Sequence, residues 1–292
     1  MTQQSRQRVA VVTGASSGIG KSTARMLAEH GWHVIGTGRH PERTAAAEAE
    51  IRAAASPEAK VNFVRGDFDI MADVLRVAKE IKALTPRIDV LVNNAGGVRD
   101  RQIMTPEGNE ATFAANHLSA FLLTRELLPL LKTAAADSPP DSVRVIAVSS
   151  LAHEYTQGFD WNDLQTIENY STNSAYCRAK LANILFTREL ARRLASDGII
   201  AQAMHPGRVD SNFASHGDEA MQDYFRTASD VDAPDKPAKT IVWLATAPEA
   251  GKDGGRYFFD CEEAPVAPQA LDGEAARRLW QESQQILQRI GI

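Results

Sequence analysis

Cysteine is scarce in this sequence. Only Cys177 and Cys261 occur among the 292 residues, and they stand far apart. Two such residues supply neither a disulfide framework nor the paired spacing of a zinc site, and this usage is typical of a reducing compartment. The seven histidines are dispersed as well. We therefore expect no structural disulfide and no metal site.

Long apolar segments and an excess of positive charge are also missing. No run approaches the roughly 18 apolar residues of a membrane-spanning helix, and residues 1–8 lack the apolar core of a signal peptide. Lys and Arg total 32 against 37 Asp and Glu, with no basic run, which argues against nucleic-acid binding. We expect a cytoplasmic protein without a membrane span.

What the sequence does contain is an alternation of short apolar runs and longer helical patterns. The predicted strands cover residues 9–13, 33–37, 61–65, 89–93, 143–149, 199–205 and 256–259. The predicted helices between them cover residues 19–30, 42–54, 71–83, 116–132, 175–196 and 238–247. Near-continuous apolar strands separated by helices indicate a parallel sheet that is covered on both faces. The pattern predicts an α/β, doubly wound Rossmann fold with a mostly parallel, seven-stranded sheet.

Two later segments are interpreted separately. Residues 208–235 are polar and contain no clear strand, and long excursions of this kind are often lids over a binding site. Residues 271–290 have the pattern of an amphipathic terminal helix. We expect both to belong to one domain that spans residues 1–292.

A glycine-rich segment follows the first predicted strand and opens the first helix. Its sequence is TGASSGIG, from Thr13 to Gly20. Glycines at such a turn allow backbone N–H groups at a helix N-terminus to approach a pyrophosphate. The spacing is G-x-x-x-G-x-G rather than G-x-G-x-x-G, but the strand–turn–helix setting is the one that dinucleotide binding requires.

A tyrosine and a lysine are spaced for acid–base chemistry. Tyr176 and Lys180 stand four residues apart in a predicted helix, which places them on one face, one turn from each other. A free tyrosine has a pKa of about 10 and is a poor proton donor or acceptor at neutral pH. A nearby ammonium would favour the phenolate and bring that pKa closer to the working range.

Together these motifs resemble the short-chain dehydrogenase/reductase family from about Arg8 to the C-terminus. Its marks occur in order, as the glycine segment, Asn93-Asn94-Ala95-Gly96, Asn116, Ser150, Tyr176 with Lys180, and Pro206-Gly207. The sequences of residues 149–153, 175–194 and 256–258 resemble those of the retinol-dehydrogenase-like and WW-domain-oxidoreductase-like branch. The separation of 26 residues between Ser150 and Tyr176 is similar to that branch as well. We expect no membrane-anchoring segment of the kind that many animal relatives carry.

The resemblance implies a catalytic set of Asn116, Ser150, Tyr176 and Lys180. In it, Tyr176 donates the proton for carbonyl reduction, and Lys180 lowers the tyrosine pKa and holds the nicotinamide ribose. Ser150 bonds to the substrate oxygen, with Ser149 as its rival, and Asn116 positions a water. The implied enzyme is an NAD(P)-dependent dehydrogenase or reductase acting on CH–OH groups, with Tyr as acid and base.

The end of the second predicted strand favours NADP(H) over NAD(H). No Asp or Glu stands at residues 37–40, where a carboxylate would bind the ribose hydroxyls of NAD, and Arg39 can instead pair with a 2′-phosphate. Lys21 could add a contact or lie on the helix surface. Asp67 resembles the aspartate that bonds to the adenine amino group, although Asp69 is a rival and either could cap the next helix.

The residues expected to contact the cofactor are Gly14, Ser16, Ser17, Gly18, Ile19, Gly20, Arg39, Asp67, Phe68, Asn94, Ala95, Gly96, Tyr176, Lys180, Pro206, Gly207 and Val209.

The substrate is expected to be a bulky, apolar small molecule that carries a carbonyl or alcohol group. Residues 98–104, 151–162 and 208–225 would line its pocket. Five large side chains of this region suggest room for such a molecule, namely Phe159, Trp161, Phe213, Met221 and Tyr224. His153 and His205 could reach the same pocket. A catalytically idle nucleotide sensor, or an epimerase or dehydratase, are the alternative functions. The resemblance also implies a homo-oligomer formed through the helices that begin near Asn116 and Ala175.

Overall fold

The computed structural model describes residues 6–210, 213, 217–228 and 230–292, without the side chains of residues 220, 221, 224 and 225. Within these residues it has eight strands, which are β1 Val9–Val12, β2 His33–Gly38, β3 Lys60–Arg65, β4 Val90–Asn93, β5 Val143–Val148, β6 Ile199–Met204, β7 Tyr257–Phe259 and β8 Glu262–Glu263. They form one sheet in the order β3-β2-β1-β4-β5-β6-β7-β8. All pairs are parallel except β7 with β8. The predicted doubly wound fold is confirmed, and the two-residue β8 extends the predicted seven strands.

The helices of the described residues are α1 Gly18–Glu29, α2 Pro41–Ala54, α3 Met71–Leu84, α4 Ala111–Phe113, α5 Ser119–Ala136, α6 Thr172–Leu194, α7 Glu219–Thr227, α8 Asp235–Thr246 and α9 Gly273–Arg289. A π-helical segment, Ala114–Leu118, joins α4 to α5, and a 3₁₀ turn, Leu151–Tyr155, follows β5. Among the described residues, no helix combines the length and apolarity that crossing a membrane requires.

The sheet is covered on both faces, and its central strands are mostly apolar. Every residue of β1, β4, β5 and β6 is buried. One apolar cluster packs α3, α5, α6 and α9 on one face, and a second packs α1 and α8 on the other. Strands buried in this way hold their carboxyl ends rigidly along one edge of the sheet, where open α/β folds bind ligands.

The C-terminal helix α9 lies against α6. Asp272 caps it by accepting hydrogen bonds from the backbone N–H groups of Glu274 (2.8 Å) and Ala275 (3.0 Å). Trp280 stacks on Phe186 of α6, with ring centroids 5.9 Å apart. Helix α6, one of the two helices expected to form the subunit contact, is therefore partly covered by α9.

The segment predicted as a lid lies beside the sheet edge. Val209 forms a parallel bridge with Asp232, which brings the two ends of the excursion together, and α7 lies between them. Residues 211, 212, 214–216 and 229 lie outside the described residues. Whether the segment acts as a lid stays a prediction.

Candidate active site

A long cleft runs along the carboxyl ends of the strands. Its volume is about 1440 Å³. It crosses the point between β1 and β4 at which the strand order reverses, the usual ligand crevice of doubly wound sheets. Every residue expected to contact the cofactor lines this cleft, and so does Ser150.

The glycine-rich turn forms one wall of the cleft. Gly14 adopts φ +66°, a left-handed conformation that favours glycine. A Cβ at Gly20 would overlap the Gly14 carbonyl and the amide of Asn94, so α1 approaches the sheet at a distance that only glycine permits. Among the described residues, the Ser17 side chain makes no capping hydrogen bond to α1. The first N–H groups of the helix are thus left to an anion, and the turn fits a dinucleotide pyrophosphate.

The β4 turn is bonded directly to the glycine turn. The Thr13 hydroxyl accepts hydrogen bonds from the backbone N–H groups of Asn94 and Ala95, both at 2.9 Å, and Asn94 Nδ2 donates to the Thr13 carbonyl at 2.7 Å. Asn93 points the other way and donates to Thr124 Oγ1 at 3.0 Å. Asn93 therefore supports the fold, while Asn94 and Ala95 face the cleft.

Charged residues gather at the adenosine end of the cleft. Arg39 is half exposed, and its Nη1 lies 3.5 Å from Asp69 Oδ2 and 3.8 Å from Asp67 Oδ1. Arg43, at the start of α2, also lines the cleft, and among the described residues it makes no ion pair or side-chain hydrogen bond. Arg43 is missing from the sequence prediction. Lys21 instead lies on the outer face of α1, bonded to Glu50 at 2.7 Å.

The two aspartates after β3 have different partners. Asp67 Oδ1 accepts a hydrogen bond from the Asp69 backbone N–H (3.1 Å), whereas Asp69 binds the Arg99 guanidinium at 2.6 and 2.8 Å. Both line the cleft. The suggestion that one of them caps the next helix is wrong, because the carboxylate of Glu107 accepts the N–H groups that begin α3, at 2.7 and 2.8 Å.

Tyr176 and Ser150 meet at the other end of the cleft. The Tyr176 side chain is 8% exposed, and the Ser150 hydroxyl lies near its own hydroxyl. Burial raises the tyrosine pKa well above its usual value, and the nearby Ser150 works in the opposite direction. Ser150 Oγ also accepts a hydrogen bond from the Ala152 backbone N–H at 3.1 Å, which fixes the serine side chain at the start of the 3₁₀ turn.

Lys180 lies beneath the tyrosine. Its Nζ is 5.5 Å from the centroid of the Tyr176 ring and donates to the Val148 carbonyl at 3.1 Å. Burial lowers the pKa of Lys180 to about 8. That Lys180 lowers the tyrosine pKa stays a prediction, and burial of Tyr176 acts in the opposite direction.

Asn116 lies behind the β4 turn, inside the π-helical segment. Its Oδ1 accepts the Gly97 backbone N–H at 3.1 Å, and its Nδ2 donates to the carbonyls of Gly97 and Thr112, both at 2.7 Å. It is therefore not a helix cap. A π turn leaves a main-chain carbonyl without its usual partner, and such turns are frequent at functional sites.

The serine next to Ser150 has a structural place. Ser149 Oγ donates to the Lys180 main-chain carbonyl at 2.7 Å, which ties the end of β5 to α6. Both serines line the cleft, but the Ser149 hydroxyl is engaged by the backbone of α6, whereas the Ser150 hydroxyl lies near that of Tyr176.

Only some of the aromatic residues predicted for the substrate pocket reach it. Phe213 lines the cleft, and its ring centroid is 5.2 Å from that of Tyr176. Phe159 and Trp161 contact each other, and Arg278 of α9 lies 4.5 Å from the Trp161 ring, so both pack beneath the C-terminal helix. The side chains of residues 221 and 224 lie outside the described residues. Leu151 and Tyr155, from the segment 151–162 that was expected to line the pocket, do line the cleft, and so do Ala264 and Pro265, which were not expected there.

The two histidines considered for the pocket lie on different sides of its wall. His205 lines the cleft and stacks on Phe259, with ring centroids 4.3 Å apart. Burial lowers the pKa of His205 to about 4, so its ring is neutral at physiological pH. His153 is fully buried behind the Ser150 turn.

Comparison with known proteins agrees with this geometry. A family model described as short chain dehydrogenase matches residues 8–222. Human retinol dehydrogenase 14 is 36% identical over 295 residues, covering 94% of this chain and 84% of that protein. Mouse polyprenol dehydrogenase is 36% identical over 279 residues, covering 94% of this chain and 82% of that protein.

Solved structures share the fold over most of the chain. An uncharacterised protein from Mycobacterium paratuberculosis superimposes with a TM-score of 0.75 at 32% identity, covering 97% of this chain and 94% of that one. The Pseudomonas aeruginosa RhlG/NADP active-site complex gives a TM-score of 0.68 at 26% identity, covering 90% of this chain and 96% of that one.

Proposed function

Since the chain belongs to the short-chain dehydrogenase/reductase family and acts as a dehydrogenase on CH–OH groups, we propose that it interconverts a ketone or aldehyde and an alcohol with NADP(H), using Tyr176 as acid and base. The observation that carries the proposal is the contact between the Tyr176 and Ser150 hydroxyls at one end of a cleft whose other end is the glycine turn.

The glycine turn would hold the cofactor pyrophosphate, and Tyr176 and Lys180 would hold the nicotinamide ribose. When bound, NADP(H) supplies or accepts the hydride. Ser150 donates a hydrogen bond to the substrate oxygen, and Tyr176 transfers its proton to the alkoxide that develops there. In the oxidative direction Tyr176 accepts the proton.

The proton on Tyr176 must be replaced after each reduction. Lys180, with its pKa lowered to about 8, can give up a proton near neutral pH more readily than an ordinary lysine. We propose that a water held by the main chain at Asn116 links this ammonium to solvent. The Asn116 amide already gives both N–H groups to backbone carbonyls, so its side chain shapes the turn while its backbone faces the water.

Two arginines support the preference for NADP(H). Arg39 and Arg43 both line the adenosine end, and a guanidinium can bind a phosphate through two parallel hydrogen bonds. Arg39 shares its charge with the two aspartates at 3.5 and 3.8 Å. Arg43 therefore contributes the less compensated charge, and we propose that the pair together binds the 2′-phosphate.

An apolar substrate suits the catalytic end of the cleft. Leu151, Tyr155, Phe213 and Pro265 contribute apolar surface to the cleft, and the Phe213 ring centroid is 5.2 Å from that of Tyr176. The names of two relatives refer to retinol and polyprenol, which are long apolar alcohols. We propose that the substrate is likewise a bulky apolar alcohol or its carbonyl counterpart.

A panel of carbonyl compounds tests the proposal, with oxidation of NADPH and of NADH followed by absorbance. Long-chain and ring-containing apolar aldehydes and ketones should be reduced with the higher kcat/KM, and NADPH should be preferred over NADH. Small charged carbonyl compounds serve as the comparison. The absence of turnover with every member of the panel, in a protein that binds NADPH, would favour a nucleotide sensor instead.

We also propose that the chain forms a homo-oligomer. Because α9 covers part of α6, copies would have to associate over a surface that includes the outer side of α9. Light scattering at micromolar concentration measures this directly. A mass of 31.8 kDa, that of one chain, would contradict it.

A further inference from the structure

His153 is a fully buried residue that the reaction proposed above does not use. It lies in the 3₁₀ turn that follows Ser150, and it is 0% exposed. Its ring packs edge-on against Tyr257, with centroids 5.2 Å apart. A buried imidazole usually has a partner for each nitrogen, and both partners of His153 are backbone groups.

These partners determine the tautomer. Nδ1 lies 2.7 Å from the carbonyl of Ser150, which can only accept, so Nδ1 carries the proton. Nε2 lies 3.2 Å from the backbone N–H of Ala267, which can only donate, so Nε2 is unprotonated. The His153 backbone N–H also donates to the Ser150 carbonyl, at 3.2 Å. This carbonyl thus receives two hydrogen bonds from one residue.

The other partner belongs to a segment that we call the C-terminal strap, residues 264–271. Ala264 and Pro265 of the strap line the cleft. Gln269 of the strap donates through Nε2 to the carbonyl of His153, at 3.3 Å, and to that of Thr156. His153 therefore joins the backbone of the serine turn to a wall of the cleft that is 114 residues away in sequence.

We propose that His153 is a positioning residue that fixes the Ser150 backbone, and so the direction of the serine hydroxyl, by donating from Nδ1 to the Ser150 carbonyl while the C-terminal strap holds Nε2. The inference rests on the proposed function, because it assigns His153 a part in the same reaction. Its effect is on the orientation of Ser150 and not on the binding of the cofactor.

Protonation would break this arrangement. A proton on Nε2 would face the Ala267 N–H, so the cationic ring would lose its tie to the strap. The charged and titratable groups around it are Glu154 on the same turn, Tyr257 on β7, His205 after β6, and Tyr176 and Lys180 on α6, and the strap itself carries no charge. Burial lowers the pKa of His153, against the smaller raising effects of its bond to Ser150 and of Glu154. The arrangement is thus kept at neutral pH and lost on acidification below the usual histidine range.

The test uses three variants and steady-state kinetics. His153→Phe keeps the ring but removes both hydrogen bonds, and kcat should fall about tenfold or more while KM for NADPH stays within about twofold. His153→Asn retains a donor at the position of Nδ1 and cannot titrate, so kcat should stay within about threefold of the wild type and its decline at low pH should disappear. His33→Phe is the matched control, a buried histidine at the start of β2 that is bonded to Asn62 at 2.9 Å. It should leave kcat unchanged.

A double-mutant cycle separates positioning from a general loss of structure. In a Ser150→Ala background, His153→Phe should reduce kcat by less than about twofold further, because the group that it orients is gone. Equal losses with and without Ser150 would overturn the proposal. So would a His153→Phe variant that retains more than half of the wild-type kcat.

A measurement that needs no turnover is nitrogen-15 NMR of the wild-type histidines. We expect His153 to show a protonated Nδ1 and an unprotonated Nε2 at neutral pH, and the opposite tautomer would contradict the proposal. If His153→Phe does not fold, His153→Asn still tests the proposal. A folded His153→Asn variant whose kcat falls more than tenfold would contradict it, because this variant keeps the hydrogen-bond donor. Failure of the proposed function would appear separately, as a wild type that reduces no carbonyl compound.

Discussion

The two ends of the cleft are built on opposite principles. At the catalytic end Tyr176 and Lys180 are 8% and 5% exposed, and a hydrogen bond to the Val148 carbonyl holds Lys180 Nζ in place. At the adenosine end the side chain of Arg39 is 50% exposed, and Arg43 is exposed as well. Buried groups act through shifted pKa values and fixed geometry, whereas exposed charges act through a Coulomb attraction that water and salt weaken. The first end should therefore control the rate and the second the choice of cofactor.

The largest effect should come from the buried hydroxyl. Tyr176→Phe removes the proton donor but keeps the ring, so kcat should fall by a factor of about 10² to 10⁴, the usual contribution of general acid catalysis. NADPH binding, followed by fluorescence titration, should be nearly intact. Lys180→Ala should weaken both turnover and binding.

Tyr170→Phe is the control for the loss of a phenol, because Tyr170 lies outside the cleft lining. It should leave kcat nearly unchanged. A Tyr176→Phe enzyme that keeps more than a few per cent of its activity would remove Tyr176 from the mechanism and, with it, the contrast between the two ends.

At the adenosine end the effect should be smaller and should depend on the cofactor. A guanidinium–phosphate contact with a partly exposed anion contributes about 1.5–3 kcal/mol. Arg39→Ala should therefore raise KM for NADPH about ten- to hundredfold and leave KM for NADH nearly unchanged. Arg43→Ala should act in the same direction, and Arg39→Asp should tilt the preference towards NADH.

Kinetics with both cofactors decide between a phosphate contact and a structural role. Lys21→Ala is the matched control, since Lys21 is a cation of the same region that is paired with Glu50 outside the cleft. Equal losses for NADH and NADPH in the arginine variants would mean that these side chains support the fold and that the preference for NADP(H) lacks its main support.

The difference between the two ends also explains what the sequence could predict. The alternating apolar runs predicted the doubly wound sheet, because strands that are buried on both faces are mostly apolar. The pairing of Tyr176 with Lys180 could also be predicted from the sequence, since their spacing is local to one helix. The glycine turn could be predicted because its residues are consecutive.

Contacts between distant segments were not predictable. Arg43 was missed because its place at the cleft depends on how α2 leaves β2. The capping of α3 by Glu107 was missed because Glu107 lies 36 and 35 residues after Met71 and Ala72, whose N–H groups it binds. The bond from His153 to the C-terminal strap spans 114 residues. Nothing in a local pattern specifies such partners, since they are set by the packing of whole elements.

Burial behind the catalytic end should also make stability depend on pH. His117, next to Asn116, is fully buried, and its Nε2 donates to Ser283 of α9 at 2.8 Å. Burial lowers its pKa to about 3, from an ordinary value near 6.5. The folded state thus favours the neutral ring, so its stabilisation is present above about pH 6.5 and declines as the pH falls towards 3.

Between pH 7 and pH 5 this one group should lower the free energy of unfolding by about 2 kcal/mol, a factor of roughly 30 in the unfolding equilibrium. His117→Gln keeps a donor for Ser283 without a titratable ring, so urea unfolding at the two pH values should show a correspondingly smaller change. The exposed His30→Gln serves as the control. If it alters the pH dependence as much as His117→Gln does, burial near Asn116 is not the cause.

The smallest effect should be that of salt, and it separates the two ends without any mutation. Raising the ionic strength from about 0.05 M to about 0.5 M shortens the Debye length from roughly 14 Å to roughly 4 Å, so the attraction between the exposed arginines and a 2′-phosphate weakens. KM for NADPH should rise severalfold, whereas kcat at saturating cofactor should change by less than about twofold, since Tyr176 and Ser150 meet in a buried contact. In an Arg39→Ala, Arg43→Ala double variant the dependence of KM on salt should largely disappear.

A kcat as sensitive to salt as KM would mean that exposed charge also controls the chemical step. The division of the cleft into a buried catalytic end and an exposed adenosine end would then be wrong.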